Sequence, residues 1–330
     1  MKYRKFGNTD LEVSEVGFGA WAIGGNAMIG ETAIGWGPAD DDTSVKAIHA
    51  ALDVGINFFD TADIYGLGHS EDLLGKTLAG RPDVIIATKV GNVARDEKFT
   101  VDYEAAYIIE ACEKSLQRLR RETIDYYQLH TARLAHLQNG ACIEAMQQLQ
   151  VQGKIRYWGL SLPTFHPQAE ARYLMENDLG NGFQLVFNII NQKAYGLLDE
   201  AAAKGYGVIA RMPLQFGLLT GKFNTASKFS EDDHRHNRLT KEMLQQSLDV
   251  LEKFVWPLAE KEGIDKTALA LSFVLSLPQI STVIPGIRTP EHVLQNTEGL
   301  KTLRTETMEQ LLALGRREML PLMEQMEAIG

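Results

Sequence analysis

Three short apolar runs, each ending in a side chain that can ionise, constrain this chain most. Phe58-Phe59-Asp60 ends in a carboxylate, Val84-Ile85-Ile86-Ala87-Thr88-Lys89 in an ammonium, and Tyr126-Tyr127-Gln128-Leu129-His130 in an imidazole. Aromatic and β-branched residues fill the runs, as in strands covered on both faces. Helical patterns lie around and between them, from Asp42 to Val54, from Ser70 (as N-cap) to Lys76 and from Asp102 to Leu119. A carboxylate such as Asp60 is costly to bury unless it finds a cation or donors. Strands that alternate with helices run parallel, and in a barrel their C-terminal ends share one face. The three ionisable ends then meet, and Tyr65, five residues past Asp60, joins them.

The same rhythm runs on. Val16 to Ala20 reads as a first strand. Ile155 to Ser161, Phe183 to Asn188, Val208 to Met212 and Ile280 to Gly286 read as the fifth to eighth. Ala141 to Val151, Pro167 to Asn177 and Leu197 to Lys204 read as the helices between. Eight such units predict an α/β protein, a (β/α)8 TIM barrel, with residues 1–330 as a single domain. Two stretches break the rhythm. Asn224 to Thr240 is polar and, with more helix, separates strands seven and eight. It reads equally as a lid or a surface excursion, with His234 and His236 solvated rather than bound to metal. Thr305 to Gly330 reads as a C-terminal helix bent at Pro321.

Gly17-Phe18-Gly19-Ala20 imitates a dinucleotide-binding turn, with acidic residues about 20 positions on. That motif needs a helix directly after it, whereas Ile23-Gly24-Gly25-Asn26 reads as loop, so a Rossmann half is rejected. A net charge of −10 argues against non-specific nucleic-acid binding and against an anionic membrane surface. The two cysteines, Cys112 and Cys142, make no disulfide framework, and no Cys/His cluster has metal spacing. No apolar run follows the basic N-terminal residues and none is long enough to span a membrane, so a cytoplasmic location is expected.

Asp60, Tyr65, Lys89 and His130, in this order and spacing, resemble the catalytic tetrad of the aldo-keto reductases. Phe59-Asp60-Thr61-Ala62-Asp63-Ile64-Tyr65-Gly66 is similar to that family's signature, and the resemblance extends from Gly17 to Arg288. It looks closest to the bacterial branch of general stress and inositol-operon reductases. The chemistry fits. Carbonyl reduction needs a proton donor at the forming alkoxide, and Tyr65 is the donor expected. Lys89 should lower its pKa, Asp60 hold Lys89, and His130 orient the carbonyl. Singly, each residue is more often packing or a structural ion pair. Asp63 reads as loop-stabilising.

The resemblance implies cofactor contacts from Ala20, Trp21, Asp60, Ser161 and Gln184. It adds the segment after strand seven (Arg211, Met212, Pro213, Leu214, Gln215 and Phe216), then Lys222 and Arg235. The adenosine end implied is Gly286, Ile287, Arg288, His292, Gln295 and Asn296. Arg288 beside the helix start at Pro290 suits a 2′-phosphate, hence NADP over NAD. The chain departs from the family at Leu162, where asparagine is usual, at Arg211, where a stacking tyrosine is frequent, and at His292, where arginine or glutamine is common. Trp21, Trp36, Tyr65, His130 and Phe216 are the expected substrate wall. The function implied is NADP(H)-dependent interconversion of aldehydes or ketones with alcohols, on a small carbonyl or sugar substrate. Two alternatives stay open: an NAD-dependent sugar or alcohol dehydrogenase, and a redox-sensing regulatory subunit like the channel β-subunits of the superfamily.

Overall fold

The structure, a computed structural model, describes residues 1–231 and 233–329. Asp232, in the polar excursion, and Gly330, at the end of the expected C-terminal helix, lie outside them. Eight strands hydrogen-bond side by side in chain order: β1 (Phe18–Gly19), β2 (Phe58–Asp60), β3 (Ile85–Val90), β4 (Ile124–His130), β5 (Ile155–Ser161), β6 (Gly182–Val186), β7 (Gly207–Arg211) and β8 (Thr282–Ile284). All seven pairings are parallel. The barrel closes through backbone bonds from Gly17 N to Val283 O at 2.8 Å and from Gly19 N to Pro285 O at 3.1 Å. Only glycine fits at position 19, because a Cβ there would lie 2.7 Å from the Pro285 oxygen. The expected (β/α)8 barrel is the observed fold.

One end of the barrel is plugged. A hairpin of Tyr3–Lys5 and Glu12–Ser14 delivers Phe6 onto Tyr126, ring centroids 4.8 Å apart. Phe6, Phe58, Ile85, Tyr126 and Ile209 fill the interior there. Strand alternation sends Tyr127 and Leu129 outward into the larger core beneath the helices, while Gln128 faces the interior. The ionisable strand ends are left at the other, open end.

Several boundaries differ from the sequence reading. Strands β1 and β8 are short, because their ends bend away into loops. The second helix runs His69–Thr77, and Ser70 is not its N-cap. The Ser70 hydroxyl instead donates to Ala20 O at 2.9 Å and pairs with Thr61 Oγ1 at 2.8 Å. The C-terminal stretch is two helices, Thr305–Gly315 and Leu320–Ile329. The break falls before Pro321, which sits at the second helix's start, where a missing N–H does no harm. A hairpin of Asn92–Arg95 and Lys98–Val101 after β3 is absent from the sequence reading. Another small hairpin, Met28–Ile29 with Thr32–Ala33, rises from the glycine-rich loop after β1. The polar excursion is not a free surface loop: Asp233 bridges Trp36 across the open end. Among the described residues, no helix is long and apolar enough to cross a membrane. Cys112 and Cys142 are free and buried.

Candidate active site

Parallel registry brings the three ionisable ends together. Asp60 pairs with Ala87 across β2 and β3, and Lys89 with Gln128 across β3 and β4. Lys89, 0% exposed, donates from Nζ to Asp60 Oδ1 at 2.6 Å, to Thr61 O at 2.7 Å and to Tyr65 Oη at 3.3 Å. Asp60 is buried too, and its Oδ2 accepts from Gln184 Nε2 at 2.7 Å and from Gln128 Nε2 at 3.1 Å. Tyr65 meets His130 edge-on at 6.0 Å between ring centroids. The Tyr65 loop is set by a close approach: a Cβ on Gly66, at φ 61°, would lie 2.3 Å from Gly24 O. The contact stacks Tyr65 on Trp21, centroids 5.7 Å apart.

The electrostatics differ from expectation at one point. Burial pushes the Tyr65 phenol above its ordinary pKa, and the pull of Lys89 downward does not overcome it. The phenol is therefore protonated at neutral pH. Burial also opposes the Lys89 ammonium, but Asp60 and Tyr65 outweigh it, and its pKa lies above the usual lysine value. Burial, with Lys89 and Arg211 behind it, holds His130 well below the ordinary histidine pKa, so the ring is neutral. His130 Nδ1 is buried without a partner among the described residues.

A cavity of about 690 Å³ opens above this cluster. Asp60, Tyr65, His130, Ala20, Trp21, Gln184 and the run Arg211-Met212-Pro213-Leu214-Gln215-Phe216 line its near part. Lys222, Gly286, Arg288, His292, Gln295 and Asn296 line its far part, with Trp36 and Arg235 over it. Two expected contacts fall outside. Ile287 is fully buried in the outer core, because the backbone after β8 turns its side chain away from the cavity. Ser161 is not among the lining residues; its Oγ, at the end of β5, is buried and has no partner among the described residues. Arg211 donates to Leu162 O and Thr164 Oγ1, both at 3.2 Å, which holds it beside the tetrad and away from the far cations.

The far part is basic in a chain whose net charge is −10. Lys222 donates to Gln295 Oε1 at 2.6 Å and Arg288 to Trp36 O at 3.3 Å. Neither has an ion-pair partner among the described residues. His292 stands at the start of the helix Pro290–Thr297, capped by Thr289.

Three lining or supporting residues escape a reading by motif. Gln128, two positions before His130 and so on the same strand face, supports Asp60; period-two alternation signals it. Glu71, fully buried under β3, accepts from Thr88 Oγ1 at 2.5 Å and Arg118 Nε at 2.7 Å. His234 is not solvated. It stacks on Trp21 at 4.7 Å and meets Trp36 edge-on at 4.4 Å, because the Asp233–Trp36 bridge folds it inward.

The aldo/keto reductase family profile matches residues 15–315. The chain belongs to the aldo/keto reductase family. An uncharacterised oxidoreductase of Bacillus subtilis, YqkF, is 29% identical over 317 residues, 95% of each chain. The aldo-keto reductase YhdN of the same organism is 30% identical over 308 residues, 88% of this chain and 86% of its own. The glycerol dehydrogenase of Gluconobacter oxydans superposes with a TM-score of 0.79 at 33% identity, covering 95% of each chain. The protein is thus an aldo-keto reductase family oxidoreductase, of a family that typically uses a nicotinamide cofactor on small carbonyl compounds. The cavity fits such a group: one lining joins Asp60, Tyr65 and His130 to Lys222 and Arg288, cations without an ion-pair partner among the described residues. Three of its lining residues carry buried nitrogens without a partner among the described residues, His130 Nδ1, Arg211 Nε and His292 Nδ1.

Proposed function

We propose that this aldo-keto reductase uses NADP(H) to reduce aldehydes or ketones, with Tyr65 as proton donor. The observation that carries the reading is the Asp60–Lys89–Tyr65 chain at the head of a slot whose far end is basic. Residues 1–330 act as one unit in this reading, and the two Bacillus relatives support the bacterial branch.

The roles follow from the contacts. Lys222 and Arg288 hold phosphates, and Arg288 meets the 2′-phosphate that separates NADP from NAD. The bound cofactor supplies the hydride. His130, neutral, donates a hydrogen bond to the substrate carbonyl and fixes its direction. Tyr65, kept protonated by burial, passes its proton to the oxygen as negative charge develops there. Lys89 stabilises the phenolate left behind, and Asp60 keeps Lys89 aimed at Tyr65. Gln184 and Gln128 hold Asp60, so the amide of Gln184 serves the carboxylate as well as the cavity. Arg211 adds a second cation near the phenol.

Fluorescence titration with NADPH and NADH, on wild type and Arg288→Ala, tests the cofactor reading. Tighter NADPH binding that weakens in the variant supports it. Equal binding favours the NAD-dependent dehydrogenase, and binding of neither removes the enzymatic reading. Tyr65→Phe with undiminished turnover and intact cofactor binding would sink the donor assignment.

A further inference from the structure

His234 has surroundings that packing alone does not explain. Its ring is held on three sides by aromatic faces: Trp21 at 4.7 Å stacked, Trp36 at 4.4 Å edge-on and Phe216 at 5.2 Å edge-on. Both ring nitrogens are buried, and neither has a partner among the described residues. A buried polar atom left dry is destabilising, and two on one ring are unusual. The ring is neutral across the physiological range: burial, and Arg238 beside it, push its pKa down to about 3. It therefore offers one donor and one acceptor.

The ring is built into the cavity by the clasp that bridges Asp233 to Trp36. Arg235 locks that clasp, bonding Asp233 through Nε at 2.9 Å and lying 4.8 Å over the Trp36 ring. Trp21 is shared: Tyr65 stacks on it as His234 does. A substrate whose carbonyl reaches Tyr65 thus extends along Trp21 toward His234. Arg238, whose guanidinium lies 5.6 Å from the Phe216 centroid, faces the same space and has no ion-pair partner among the described residues. The wall is apolar on its faces and polar at its rim, complementary to a molecule with C–H faces and hydroxyl edges.

We infer that His234 is a specificity-determining residue that hydrogen-bonds a hydroxyl of the substrate, so that this site prefers hydroxylated aldehydes and ketones to plain alkyl ones. A hydroxyl both donates and accepts, which matches a neutral imidazole; an alkyl chain leaves both nitrogens dry. The inference rests on the carbonyl-reductase reading above and narrows its substrate class.

The test compares glyceraldehyde with propanal, which share a three-carbon skeleton and differ in hydroxyls. kcat/KM with NADPH is measured for wild type, His234→Phe, which keeps the aromatic contacts, and His234→Gln, which keeps a donor and an acceptor. Wild type favours glyceraldehyde. In His234→Phe the glyceraldehyde-to-propanal ratio falls about tenfold, the size of one lost hydrogen bond, and His234→Gln recovers part of it. An unchanged ratio in His234→Phe overturns the inference, as does a wild type that prefers propanal. If wild type reduces neither aldehyde, the carbonyl-reductase reading has failed. His234 is then judged by tryptophan fluorescence titration with glyceraldehyde. Binding weakened about tenfold by His234→Phe supports the role, and equal binding, or none to wild type, removes it.

Discussion

Lys89→Met isolates what the buried ion pair does. Lys89 and Asp60 sit 2.6 Å apart and are 0% and 2% exposed. At an effective dielectric of about 20 their attraction is about 6 kcal/mol. Desolvating two charges costs several kcal/mol for each, so the intact pair adds little net stability. The single variant is different. It leaves Asp60 buried with only two neutral donors, the amides of Gln128 and Gln184. Removing one partner of a buried pair costs about 3–5 kcal/mol. The remaining amides place Lys89→Met near the lower end, about 3 kcal/mol. Asp60→Asn in the same background removes the stranded charge. The asparagine keeps an acceptor for the glutamines and sets a donor near Thr61 O, where Lys89 Nζ stood. The double variant should therefore regain about 2 kcal/mol over Lys89→Met. Urea unfolding followed by tryptophan fluorescence measures wild type, Lys89→Met, Asp60→Asn and the double variant. A double variant destabilised by the sum of the singles, within about 0.5 kcal/mol, would refute the reasoning. Stability regained should not restore turnover. Both variants should lose about 10²–10⁴ in kcat, because the cation beside Tyr65 is gone.

Other predictions follow from the same geometry. Because the Tyr65 pKa lies above its ordinary value of 10.0, alcohol oxidation, which needs phenolate, should rise about tenfold per pH unit from neutrality toward pH 10. Carbonyl reduction should stay level over that range, with no inflection near pH 6–7 from the already neutral His130; an oxidation plateau near pH 8 would contradict this. Gly66→Ala should cost about 1–3 kcal/mol through strain at positive φ, and should lower kcat/KM by parting Tyr65 from Trp21, checked by unfolding and steady-state assays. Glu262 is a pH-sensitive staple: burial raises its pKa, yet Thr307, Lys301 and Arg304 outweigh that and hold it at about 2. Its contribution is present above the unfolded carboxyl pKa and is lost as pH falls from about 4.5 toward 2. Glu262→Gln should flatten the stability profile across that window in urea titrations.

Much of the site was legible because the tetrad is encoded by strand ends. A strand that terminates in Asp, Lys or His says where its side chain goes once parallel pairing is assumed. The segments after β7 and β8 came instead from the family resemblance, and most of the residues it names there line the cavity. It went wrong where exposure depends on a backbone turn. Ile287 sits between two lining residues, Gly286 and Arg288, yet the backbone after β8 turns its side chain into the core. It also went wrong on the Tyr65 pKa: the sequence names the cation nearby but says nothing of how deeply the phenol is buried, and burial is the larger effect.

From residue order alone came the barrel, its eight units, the four residues at its open end and the family resemblance. The barrel and its units rest on local periodicity and on the rule that parallel strands end together, and the resemblance on the order and spacing of Asp60, Tyr65, Lys89 and His130. Only the tertiary structure decided what covers that end. Residues 224–240 carry no periodic signal, and their polar composition suits solvent as well as a lid. A single backbone bridge, Trp36 to Asp233, settles the matter by joining segments nearly 200 positions apart. It turns His234 from a loop histidine into part of the cavity wall, because burial is a property of what folds over a residue and not of the residue itself.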